Sequence, residues 1–117
     1  MFTTAAVFSS VLALVFLGAG SSKVAKVKMQ QDNAAHLGFT IAAYQRIGTL
    51  QIAGAIGLVI GLWVAPLGIA AATGLTLMMI GAVGFHLRAK DKAALYAPAA
   101  VLALLAAVTL ALRIMSA

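Results

Sequence analysis

The stretch Arg46–Gly61, RIGTLQIAGAIGLVIG, decides the fold. It opens on a lone arginine, sets Gln51 inside an apolar run, and then places glycine at positions 54, 57 and 61. At 3.6 residues per turn, these glycines fall within about 60° of one another on a helix. Such a strip has no side chains, so a second helix can approach its backbone. In lipid, where apolar burial gains nothing, strips of small residues drive helix association. The stretch therefore predicts a helix packed inside a membrane bundle.

Composition agrees with that class. Of the 117 residues, 64% are hydrophobic and 9% charged, and the mean hydropathy is +1.12. Soluble domains carry about 25% charged residues, so too few polar side chains remain here to cover a water-facing surface. Eight Lys and Arg stand against Asp32 and Asp91, for a net charge of +6. The bases cluster between apolar runs, as topology signals and contacts to anionic headgroups do. No basic fold or motif points to nucleic acid. The absence of cysteine excludes disulfide exchange, thiolate metal sites and iron–sulfur clusters within the chain. There is no nucleophile–base motif, phosphate loop or metal-ligand spacing, so neither a catalytic residue nor a metal site is read from the sequence.

Working outward, Thr4–Gly20 is a first apolar run. It lacks the positive start of a secretory signal and reads as a span. Between it and the deciding stretch lies the polar segment Ser22–His36, where Lys23, Lys26 and Gln30 recur at i, i+3 and i+7. That pattern fits a short amphipathic helix at the interface, or else a solvated basic loop. Beyond the stretch, Trp63-Val64-Ala65-Pro66 is a tight uncharged turn. Trp63 suits the headgroup level and Pro66 the first turn of a helix. Leu67–Leu87 follows, with Gly68, Gly74, Gly81 and Gly84. Gly74 and Gly81 are two turns apart, and their face is expected to mate with the 54/57/61 strip. Met78 and Met79 read as packing. The charged loop Arg88–Lys92 leads to Ala94–Met115, with Pro98 in its first turns. The expected fold is all-α, an integral membrane antiparallel four-helix bundle. It forms one domain over residues 1–117, with spans near 2–21, 39–63, 67–87 and 94–115 and an interfacial segment at 22–36. The lysines of loop 22–36 and the bases of loop 88–92 place both loops in the cytoplasm and both termini outside.

That topology gathers the polar groups at one end. The candidate ligand-binding residues are Arg46, Gln51, His86 and Asp91. An arginine inside a span usually faces protein, water or a partner; the plainer reading of Arg46 is a side chain reaching out to the interface. Gln51 lies about 60° from Gly54 on the helix and faces the bundle, where an interhelical hydrogen bond also accounts for it. Arg46 and Gln51 are about 140° apart and cannot both point straight into one pocket. Asp91 follows His86 by five residues and could orient it to shuttle protons or to bond a carbonyl; alternatively, His86 caps the helix end. A haem between His36 and His86 would need both side chains inside the bundle, and His36 sits in a polar stretch. No span contains a carboxylate, which disfavours a small proton-coupled transporter.

These residues resemble the DoxX-like family of small bacterial four-helix membrane proteins. The likeness runs from about Gly18 to Pro98. It comprises the Lys23–Lys26 segment, Leu37-Gly38, Arg46-Ile47-Gly48, Gly54-Ala55-x-Gly57-Leu58-x-x-Gly61, Pro66, Gly74, Met79-x-Gly81-Ala82 and His86-x-x-x-x-Asp91. The family pattern usually has a glutamate where this chain has Gln51, a residue that stays polar but cannot ionise. The resemblance implies a bacterial plasma-membrane protein associated with quinone-linked redox chemistry or membrane oxidoreductive complexes. Two expectations follow. The chain holds a lipophilic molecule such as a quinone at the cytoplasmic end of the bundle, or it is a non-catalytic accessory subunit packing against a larger complex or itself.

Overall fold

A computed structural model describes residues 2–116, and of Ala94 and Leu95 the backbone only. The described residues form five helices: α1 (Phe2–Val24), α2 (Lys28–Leu37), α3 (Ile41–Ile60), α4 (Ala65–Arg88) and α5 (Ala93–Met115). The four long helices make a ring in which α1 lies along α3, α3 along α4, α4 along α5, and α5 returns to α1. The short α2 rests on α1 and α3. The polar segment after the first span contains a helix, but not over the expected 22–36: α1 continues to Val24 and takes Lys23 with it, Lys26 lies in the turn, and of the expected triplet only Gln30 is on α2.

The deciding stretch forms most of α3. Thr40 caps it, its hydroxyl accepting from the Ala43 N–H at 3.0 Å. The glycine strip faces α4: a Cβ on Gly61 would lie 2.2 Å from the Gly68 Cα, one on Gly57 3.0 Å from the Ala71 Cβ, and one on Gly54 2.7 Å from the Leu75 side chain. Position numbers rise on one helix as they fall on the other, so α3 and α4 are antiparallel. The expected mate was wrong in detail. Gly74 and Gly81 turn away from α3, and a Cβ on either would meet nothing within 4 Å. The register set by the tight Trp63 turn brings Gly68, Ala71 and Leu75 onto the strip instead. A second glycine contact joins α3 to α1, where a Cβ on Gly48 would come 2.7 Å from the Gly20 carbonyl oxygen.

The core is built by Leu12, Ala13 and Phe16 of α1, Ala55 and Leu58 of α3, Ala72, Leu75 and Met79 of α4, and Ala106 of α5. The exterior is also apolar, with Leu14 72%, Leu77 64% and Leu104 65% exposed. Water would penalise that surface and lipid would not. Thr73, Thr76 and Thr109 bond the carbonyl four residues back, which satisfies their hydroxyls within their own helices. Among the described residues, three helices are long and apolar enough to cross a membrane: α1, α4 and the Tyr96–Met115 part of α5. α3 is not among them, because Gln45, Arg46 and Gln51 dilute its apolar run.

Candidate binding site at the histidine–aspartate end

Three helices, α1, α2 and α4, close in the same way. After α1, Lys26 takes φ 56°, and the Val27 N–H reaches the Ser22 carbonyl at 3.1 Å. After α2, Gly38 takes φ 84°, and the Phe39 N–H reaches the Ala34 carbonyl at 2.8 Å. After α4, Lys90 takes φ 58°, and the Asp91 N–H reaches the His86 carbonyl at 3.0 Å. A left-handed residue followed by this long backward bond is the Schellman closure of a helix. Glycine supplies it once; elsewhere lysine holds a conformation uncommon for a residue with a Cβ.

The closure of α4 positions the site. By returning the Asp91 backbone to His86, it brings the carboxylate beside the imidazole. His86 Nδ1 lies 2.6 Å from one carboxylate oxygen, and His36 Nε2, from α2, lies 2.5 Å from the other. The Asp91 side chain is only 3% exposed, whereas His86 is 22% and His36 52% exposed. Hydrogen bonds from His86, and secondly from His36, hold the Asp91 carboxyl below its usual 3.8 despite its burial. An ionised carboxylate only accepts, so both facing ring nitrogens carry the proton. In the neutral state, each ring therefore turns a bare nitrogen outward: Nε2 on His86 and Nδ1 on His36. On protonation that nitrogen becomes a donor.

An aromatic patch adjoins these groups. The Phe39 ring lies 4.6 Å from the Phe85 ring and 5.7 Å from the Tyr44 ring, centroid to centroid. The C-terminal end of α2 is thus fixed to the end of α4 both by the His36–Asp91 bond and by the Phe39–Phe85 contact.

Of the four sequence candidates, the structure joins His86 and Asp91. Gln51 is buried in the bundle, 3% exposed, and its Oε1 accepts no hydrogen bond. Arg46 is exposed on the outer side of α3, and among the described residues no hydrogen bond or ion pair links it to Gln51, His86 or Asp91. His36, which the sequence set aside as a polar-loop residue, belongs to the cluster. Its partner lies 55 residues away, and no local pattern announces such a pair. Among the described residues, no group of three acidic or imidazole side chains is arranged to hold a metal ion.

A second polar device sits at the opposite end and was also missed. Arg113, 4% exposed, donates from Nε and Nη2 to the Gly61 carbonyl at 3.2 and 2.9 Å, and from Nη1 to the Ser116 hydroxyl at 3.0 Å. Its guanidinium also lies 5.4 Å from the Phe2 ring centroid. Gly61 follows the last turn of α3, where unpaired carbonyls attract a cation.

An all-helical bundle, apolar outside as well as within and polar at its ends, is a helical membrane protein. The chain belongs to the DoxX-like family, whose sequence pattern matches residues 7–108. No curated protein and no solved structure matches it.

Proposed function

We propose that this DoxX-like membrane protein binds a lipophilic carbonyl compound, a quinone fitting best, at the His36–Asp91–His86 end of the bundle. The observation that carries the reading is the carboxylate shared by two partly open imidazoles. A neutral His86 would accept a bond from a quinol hydroxyl, and a protonated His86 would donate to a quinone carbonyl. Asp91 keeps the ring in the orientation and tautomer that this exchange needs. Phe39 and Phe85 offer flat apolar faces beside it. The site so drawn keeps His86 and Asp91, adds His36, and leaves Arg46 and Gln51 outside. It would open at the cytoplasmic side of a bacterial plasma membrane, with loops 22–36 and 88–92 facing inward.

The test is quinone binding to the purified protein in detergent. His86→Ala removes a hydrogen bond of about 1–1.5 kcal/mol and should weaken binding about tenfold. Equal affinity in the wild type and in His86→Ala would discard the proposal.

A second reading is that of an accessory subunit in a membrane complex or a homo-oligomer, and the outward Gly74, Gly81 and Gly84 of α4 favour it. Small residues facing lipid admit another helix at close range. Cysteine placed at Leu77 should then cross-link to a neighbouring chain, and a monomer in mild detergent with no cross-link would remove this alternative.

A further inference from the structure

The α1–α2 junction carries lysines that the quinone reading does not use. Lys23, Lys26, Gln30, Gln31 and Tyr44 surround a shallow hollow over Ala34. The junction is held by its own side chains. Gln31 Nε2 donates to the Lys26 carbonyl at 2.7 Å, Gln30 Nε2 to the Ser22 hydroxyl at 2.9 Å, and Gln45 Nε2, from α3, to the Val24 carbonyl at 3.0 Å. The Lys23 ammonium lies 5.3 Å from the Tyr44 ring centroid, which keeps it over the hollow. No carboxylate lines the hollow. Of the two acids in the chain, Asp91 is engaged by its histidines, and among the described residues Asp32 forms no ion pair.

The hollow has a volume of about 10 Å³, room for one oxygen atom rather than a whole ligand. Exposed apolar side chains flank the lysines: Val24, Val27 and Met29. A ligand satisfying both features carries an anionic oxygen on an apolar body. We infer that this junction is a binding site for a phosphate group, carried by an anionic phospholipid whose headgroup seats one oxygen between Lys23 and Lys26 while its chains lie along the exposed valines. The site is separate from the histidine–aspartate cluster and stands or falls without it.

Retention of phosphatidylglycerol against phosphatidylcholine on the purified full chain, measured by native mass spectrometry, tests this. The wild type should retain phosphatidylglycerol preferentially. Removing a basic residue near the membrane surface weakens anionic-lipid binding about fivefold, so Lys23→Gln/Lys26→Gln should lower retention by about 25-fold. Lys23→Arg/Lys26→Arg should keep most of it, and Lys90→Gln/Lys92→Gln, in the other basic loop, should lower it much less than Lys23→Gln/Lys26→Gln does. Glycerol 3-phosphate distinguishes the source of the phosphate. Failure to displace the lipid supports a headgroup site, whereas displacement at comparable concentration overturns the lipid assignment in favour of a soluble phosphate ester. Equal retention by the wild type and Lys23→Gln/Lys26→Gln, or an equal loss in the loop 90–92 variant, overturns the site altogether.

Discussion

Asp91 shows how one side chain can serve both the fold and the site. Its carboxyl ionises more readily in the folded protein, so its two hydrogen bonds stabilise the fold fully above the unfolded value of 3.8. That contribution is lost as pH falls below 3.8 through the lower folded value. Thermal unfolding in detergent should therefore lose more from pH 6 to pH 3 in the wild type than in Asp91→Asn. Gln51 presents the opposite case, a buried acceptor left unpaired. Replacing such a group with an apolar one of similar shape removes a desolvation penalty, and Gln51→Met should raise stability by about 1 kcal/mol in the same assay. The inward direction of Gln51 was legible from its angle to Gly54. The Asp91 partner of His36 and the Gly61 partner of Arg113 were not, because 55 and 52 residues separate them in the chain. Only the closed ring of helices brings those positions together.

Among the helices, α3 was the most readable, and its neighbour α4 the least. The glycine strip announced a close approach, and the structure supplies one. What sequence could not choose was which of the four α4 glycines would answer it, since all four are equally bare. Hairpin register decides, and it depends on where the Trp63 turn ends. The two sets of glycines should therefore respond differently to alanine. Gly61→Ala forces a Cβ into the Gly68 backbone and should destabilise the bundle by about 1–3 kcal/mol. Gly74→Ala meets open space and should stabilise by about 0.5–1 kcal/mol through helix propensity. A helical partner seated on Gly74 would reverse the second sign inside native membranes while leaving it intact in detergent. The pair of substitutions thus also distinguishes the accessory-subunit reading from the quinone reading.

At the scale of the whole molecule, α3 is less apolar than the other long helices, yet it lies antiparallel between α1 and α4. A helix lined by glycines that protein covers has less need of lipid-facing bulk, so its composition understates its depth. We expect all four long helices to traverse the bilayer. Single cysteines at Lys26 and Lys90 should then react with an impermeant thiol reagent from one face, and a cysteine at Trp63 from the other. Arg113 carries a last consequence. Its guanidinium stacks beside Phe2 while gripping the carbonyl that closes α3, so the beginning and end of the described polypeptide are neighbours at the hairpin tip. A short peptide could join them into a loop, and the backbone could be cut afresh at Trp63. Such a permuted chain would keep every lysine on its original side and should insert as the parent does, with the α3–α4 register left to strip contacts such as Gly61–Gly68 alone.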